Sequence, residues 1–156
     1  MTRDFSIRSA QLADRDALTE LCMRSKQSNG YDDAFMHACI DELRVRDSWI
    51  SDDDFWVAEA ADGSLVGCIR LSRDQSSGGE LETCFVAPDC KGAGVGRALF
   101  ETLESRARTI GLRHIELDAD PFAEAFYARM GFATTGRSPS GSIPGRTLPR
   151  MRMDLV

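Results

Sequence analysis

The stretch VAPDCKGAGVGRALFETL, Val86 to Leu103, decides the fold. Gly92, Gly94 and Gly96 fall on alternate positions between Lys91 and Arg97 and run directly into apolar residues at helical spacing. Bare backbone at the mouth of a helix lets several N–H groups converge on one anion, and the first helical turn adds unpaired donors and the positive end of its dipole. The plainer alternative is a flexible turn with no guest. Spacing separates the phosphate-binding patterns. A Walker loop needs Lys followed by Ser or Thr directly after its last glycine, where this chain has Arg97 and Ala98. A dinucleotide fingerprint needs a glycine three residues beyond Gly94 or Gly96, where Arg97 and Leu99 stand. Both patterns fail, which leaves an anion loop of another kind.

Around this loop the periodicity changes twice. GELETCFVA before it and RHIELDA after it are strand-like, while RALFETLESRARTIG carries Leu99, Leu103, Ala107 and Ile110 on one helical face and stops at Gly111. Strand, glycine loop, helix and strand make a βαβ unit, whose two strands are expected to be parallel with a right-handed crossover. The loop then lies at the C-terminal end of a strand, where open α/β sheets bind their ligands.

Upstream, FSIRSA with Phe5 and Ile7 predicts a first strand. Leu12, Ala17, Leu21 and Cys22 predict a helix, and after the break SNGYDD, Phe35, Cys39, Ile40 and Leu43 predict a second. DFWVAEA and SLVGCIRL flank Ala61-Asp62-Gly63 and predict a hairpin. Downstream, Asp120 and Pro121 are an N-cap and a first helical residue, opening a helix of about ten residues that ends at Gly131. Its expected buried stripe is Phe122, Phe126 and Met130. FATTG is a short strand, Arg137 to Pro149 a Pro/Gly/Ser-rich loop and RMRMDLV a closing strand. The element order is β-α-α-β-β-β-α-β-α-β-β, a mixed α/β fold in a single domain spanning 1–156.

Composition narrows the function. A formal net charge of −6, from 25 acidic against 19 basic residues, disfavours nonspecific nucleic-acid binding. No segment suits a signal peptide or a membrane span, so no membrane partner is expected. Five cysteines, an odd number without a C-x-x-C pair, point to a reducing, cytoplasmic setting. No metal cluster is visible in the sequence.

Lys91-Gly92-Ala93-Gly94-Val95-Gly96 resembles the [Q/R]-x-x-G-x-[G/A] acyl-CoA pyrophosphate loop of the GNAT superfamily of N-acetyltransferases. Asp120-Pro-Phe-Ala-Glu-Ala-Phe-Tyr-Ala-Arg-Met-Gly-Phe132 resembles that family's N-x-x-A-x-x-F-Y-x-x-x-G-F segment, and the element order is similar throughout. Two residues depart from the pattern: Lys91 replaces Gln or Arg, and Asp120 replaces an Asn that often bonds the pantetheine arm. Asp120 therefore reads either as a cofactor contact or as a plain helix cap.

The resemblance implies transfer of an acetyl group from acetyl-CoA, with no metal, to the primary amine of a small-molecule acceptor by direct attack in a ternary complex. It assigns the cofactor to Cys84, Phe85 and Val86, to Lys91 through Arg97, and to Asp120, Phe126 and Tyr127. Tyr127, about 100° around its helix from the expected buried stripe, would point into the cleft and protonate the departing thiolate, or else be a rim tyrosine. Glu80, Glu82, Cys84 and Val86 share one strand face by its period of two. Glu80 and Glu82 then form a pair that can raise one pKa and supply a base, or else a solvated edge. Tyr31 and Arg146 stand on opposite walls as acceptor contacts, Arg146 facing an acceptor carboxylate or only solvent. Acetylation of a protein or peptide, and a non-catalytic acyl-CoA-binding regulator, are the alternative activities. A homodimer is the one assembly considered.

Overall fold

The computed structural model describes residues 4–73 and 77–155. Seven strands, β1 (Phe5–Ser9), β2 (Asp54–Ala60), β3 (Leu65–Arg73), β4 (Gly78–Val86), β5 (His114–Asp118), β6 (Ala133–Pro139) and β7 (Thr147–Asp154), form one sheet in the order β1-β2-β3-β4-β5-β7-β6. Five helices accompany them: α1 (Arg15–Gln27), α2 (Asp33–Leu43), α3 (Asp47–Asp52), α4 (Val95–Thr109) and α5 (Glu124–Met130). Every strand pairing is antiparallel except β4 with β5, the parallel pair that the βαβ reading requires.

The expected hairpin is present: the Ala60 N–H donates to Ser64 O at 2.9 Å, and Gly63 takes φ +88°, a turn conformation that glycine adopts without strain. The most buried strand is β3, whose residues Val66 to Leu71 are all buried because helices cover both faces. On one face Cys68 Sγ lies 3.9 Å from Cys22 Sγ of α1. On the other, α4 presses so closely that a Cβ on Gly67 would stand 2.7 Å from Val95 Cγ1 and 2.9 Å from Leu99 Cδ1. Leu99, Leu103 and Ala107 are fully buried there, and Gly111 ends the helical segment at φ +83°.

What positions the site is a limit on pairing. β4 and β5 share only Gly78 with His114, Gly79 with Ile115 and Glu80 with Glu116. Beyond Glu80, β4 continues along β3 to Val86 while β5 follows β7, so the two strands part and leave β4 from Leu81 onward without a neighbour on that side.

Several expectations need correction. The chain has a third helix, α3, whose six residues are too few to show a period. Leu12 and Ala17 are exposed rather than part of the buried face of the first helix, which is Leu18, Leu21, Cys22 and Ser25. The cause is a 3₁₀ turn, Leu12–Asp14, in which Asp14 accepts from the Gln11 N–H at 2.8 Å and from Arg8 at 2.8 Å, so the α-helix starts only at Arg15. The Pro/Gly/Ser-rich loop is shorter than expected. Arg137 bonds Thr147 at Oγ1 (2.8 Å) and at O (3.1 Å), extending β6 and β7 until only residues 140–146 form the connection.

Because Gly67 is the point at which α4 meets β3, we expect Gly67→Ala to cost about 1–3 kcal/mol through overpacking. Urea unfolding checks this as a lower midpoint at unchanged m-value; an unaltered midpoint would contradict the close contact.

Candidate active site

The parting of β4 from β5 opens a cleft of about 1570 Å³. Its floor is β4, and its walls come from the glycine loop and α4, from α5 and the turn before it, from the end of α1, from α2 and α3, and from the β6–β7 connection.

On one side the glycine loop delivers unspent donors. Gly92 and Gly94 both take φ +85°, and Gly94 caps α4. The Ala98 N–H makes the 3.0 Å bond to Gly94 O, so the N–H groups of Val95, Gly96 and Arg97 precede the helical ladder. Gly96 makes a close approach: a Cβ there would stand 3.3 Å from the Phe126 ring, which would have to shift slightly. Lys91 Nζ reaches Ser28 Oγ at 3.1 Å and Asn29 Oδ1 at 3.4 Å, tying the loop to the end of α1. Arg97 pairs with Glu101 at 3.0 Å. Lys91, Gly92, Gly94, Val95, Gly96 and Arg97 line the cleft, as do Cys84, Phe85, Val86 and Phe126, whereas Ala93 does not.

Tyr127 reaches the cleft, but by a different rotation from the expected one. It is 6% exposed and Phe122 is 64% exposed, the reverse of the expected stripe. Pro121–Ala123 is a 3₁₀ turn, with three residues per turn, so Phe122 does not continue the face of the α-helix that starts at Glu124. The Tyr127 ring meets Phe126 and Phe132 edge-on at 5.3 and 5.8 Å, and its side chain is hydrogen-bonded to Cys84. Burial pushes the Tyr127 pKa well above 10, with the Cys84 neighbour adding to it, and pushes the Cys84 thiol up to about 12. Both groups keep their protons at neutral pH.

The two glutamates do not alternate regularly on one face, although, after burial, the Glu82 charge is among the causes that raise the Glu80 pKa. Register slips between Arg70 and Leu71, which pair with Thr83 and Leu81, so Glu82 is the extra residue of a β-bulge. It is exposed and accepts from Ser72 Oγ at 3.0 Å. Glu80 is instead gripped through both oxygens by Arg150, one contact being 2.8 Å, and Arg150 also meets Asp118 at 3.1 Å and Glu116 at 3.5 Å. Burial raises the Glu80 pKa while Arg150 opposes the rise.

Tyr31 and Arg146, expected on opposite walls, meet each other across Asp120. Arg146 Nη2 donates to Tyr31 Oη at 2.7 Å, and that hydroxyl donates to Asp120 at 3.0 Å. Lys26 reaches Asp120 at 3.3 Å and Arg146 reaches it at 3.6 Å. Asp120 also caps its turn by accepting from the Phe122 N–H at 3.0 Å. This latch joins α1, the α5 turn and the β6–β7 connection; Lys26 carried no sequence signal.

On the far wall, Arg70 of β3 is 6% exposed. Its Nη1 donates to Asp53 at 2.7 Å, its Nε to Thr83 Oγ1 at 3.2 Å, and its guanidinium lies 3.9 Å from the Trp49 ring centre. The signal that could have found it is an arginine inside the apolar run SLVGCIRL.

Residues 14–155 match a family described as an acetyltransferase (GNAT) domain. The chain is 36% identical over 87 residues to the IAA acetyltransferase of Azospirillum brasilense, covering 53% of this chain and 57% of that protein. It is 36% identical over 88 residues to the amino-acid acetyltransferase of Mycobacterium tuberculosis, covering 55% and 49%. The chain thus spans about half the length of these curated relatives. The crystal structure of the paiA N-acetyltransferase of Thermoplasma acidophilum in complex with coenzyme A shares the fold, with a TM-score of 0.77 at 20% identity over 97% of this chain and 99% of that one. Among the described residues, no helix is long and apolar enough to cross a membrane.

Tyr31 and Tyr127 are the two tyrosines of the chain, and both are shifted upward, Tyr31 to about 12 through burial and then Asp120. Their ordinary value is about 10. Above that pH the unfolded state has released protons that the native state retains, so stability conferred by these groups is complete below pH 10 and falls as pH rises. Near-ultraviolet difference absorbance should show no tyrosinate in the native protein at pH 10, and the urea midpoint should drop between about pH 10 and 12. Native titration of either tyrosine at its ordinary value would contradict the burial described.

Proposed function

This chain belongs to the GNAT acetyltransferase family, and from that premise we propose that it moves an acetyl group from acetyl-CoA to the primary amine of a small molecule by direct attack in a ternary complex. The observation that carries this reading is the meeting of the glycine-opened end of α4 with the unpaired length of β4 in one cleft. Acetyl-CoA supplies an activated thioester. The N–H groups of Val95, Gly96 and Arg97 suit its pyrophosphate, helped by the dipole of α4 and the charge of Lys91. The open backbone edge at Cys84, Phe85 and Val86 suits the amides of its pantetheine arm, and an edge N–H suits the carbonyl oxygen as negative charge develops there.

Tyr127 is the general acid. A buried neutral phenol holds a proton at neutral pH and gives it to the sulfur as the C–S bond breaks and the C–N bond forms. Glu82 is the base, directly or through water: it is exposed and carries one contact from Ser72, whereas both oxygens of Glu80 are held by Arg150. Glu80 is then a positioning residue that anchors Arg150. Tyr31 and Arg146 act as the closing latch with Asp120. A connection latched over the cleft favours a small acceptor over a protein segment.

Thiol release across an amine panel tests the roles. Tyr127→Phe should lower kcat by about 10²–10⁴-fold, and Glu82→Gln should lower it by a similar factor at neutral pH; unchanged turnover in both would refute the assignments. Gly96→Val, which places methyl groups toward Phe126 and the donor cluster, should weaken acetyl-CoA binding by at least about tenfold in calorimetry with the helical content unchanged. Undiminished affinity would refute the pyrophosphate site.

A further inference from the structure

We infer that the acceptor is an amino acid or a similar amino-carboxylate, and that Arg70 holds its carboxylate; this rests on the acetyl-transfer reading above. Arg70 stands in the most buried strand of the sheet with only 8% of its side chain exposed. A charge so placed is retained only with partners. It has two: Asp53 on Nη1 and Thr83 on Nε, with the Trp49 ring stacked against the guanidinium plane. A guanidinium has five N–H donors in a rigid fork, so donors remain unused, including both on Nη2.

Those donors are not sealed in the core. Among the described residues, the one buried side-chain nitrogen or oxygen without a hydrogen-bond partner is Asp54 Oδ2, which is ion-paired with Arg106 at 3.5 Å. Nη2 of Arg70 is therefore not fully buried, and Arg70 lines the cleft. The result is an arginine fixed by an ion pair at Nη1 and a hydroxyl at Nε, flattened by an indole, with the N–H groups of Nη2 left to bond a carboxylate.

Nearby charge points the same way. Arg46 lines the same wall, lies 5.7 Å from the Trp49 ring centre and has no carboxylate partner among the described residues. Two guanidinium groups thus lie beside Trp49, and Asp53 is bonded to Arg70 alone of the two. Arg146, in contrast, is committed to Tyr31 and Asp120, and Arg150 to three carboxylates.

The placement fits a compact zwitterion. Arg70 and Ser72, two residues apart on β3, share one face and bond Thr83 and the proposed base Glu82 respectively. A ligand whose amine and carboxylate are a few atoms apart spans from one to the other. Asp41 and Glu42, also on the wall, oppose an acceptor with uncompensated negative charge, so the carboxylate must come with the ammonium that is to be acetylated.

The test is thiol release from acetyl-CoA with a series of L-amino acids, each compared with its own carboxamide. Wild type should prefer the acid by about 10- to 100-fold in kcat/KM, chiefly through KM, as expected of one charge-assisted hydrogen-bonded pair. Arg70→Lys, which keeps a cation beside Asp53 but loses the fork, and Arg70→Gln should both bring the ratio near one. Because the ratio is taken within one preparation, partial misfolding of a variant does not move it. Equal use of acids and amides by wild type, or a preference unchanged in both variants, overturns the carboxylate assignment while acetyl transfer stands. No turnover of any amine by a protein that binds acetyl-CoA overturns the transfer reading and this inference together.

Discussion

The structure depends on the point at which β4 and β5 cease to pair. A parallel pair of three rungs is short for strands of nine and five residues, and the strands part because each has a better partner on its other side. β4 is bound to β3 along its length, and β5 to β7 over all five residues. The twist of two antiparallel systems then pulls the shared seam open at one end. Unpaired strand backbone is ordinarily a hazard to be covered. Here it is recessed as the floor of a cleft, flanked by helix ends, so its donors and acceptors are held for a ligand.

The last rung before the parting would not hold unaided. Glu80 and Glu116 lie side by side in register, and like charges so placed are destabilising. Arg150, from the next strand over, bonds both oxygens of Glu80 and reaches Glu116 and Asp118, while Arg152 lies 3.9 Å from Glu116. One guanidinium thus staples β4, β5 and β7 where the seam ends. This accounts for a half-buried Glu80 better than a role in proton transfer does, and it leaves Glu82, displaced by the bulge, as the less engaged of the two glutamates that line the cleft.

Features governed by local rules were legible in the chain: the hairpin turn at Gly63, the stop at Gly111, the cap at Asp120 and the amphipathic face of α4. So was the parallel pair, since a strand, helix and strand of these lengths leave few alternatives. The errors arose where one residue of backbone geometry changes a period. A 3₁₀ turn before α5 exchanged the exposure of Phe122 and Tyr127, another before α1 turned Leu12 outward, and a bulge broke the alternation at Glu82. The ionic partners were illegible for a different reason. Glu80 with Arg150 and Lys26 with Asp120 are separated by 70 and 94 residues, and nothing in a single sequence couples such positions. Arg70 is intermediate: its charge inside an apolar strand announces a partner without saying which.

The departure at Asp120 from the family's asparagine follows from the same electrostatics. Lys26, Arg146 and the Tyr31 hydroxyl all converge on this side chain, and the two cations stack on the Tyr31 and Phe35 rings at 5.0 to 5.9 Å. An asparagine there would still cap the turn, but it would leave two poorly exposed cations facing each other with no counter-charge, which is costly in a partly buried site. With aspartate, one carboxylate caps the turn and closes the connection between β6 and β7 over the cleft. Lys26 and Arg146 are thereby neutralised within the protein, whereas Arg70, although paired with Asp53, keeps its Nη2 donors and Arg46 has no carboxylate partner among the described residues.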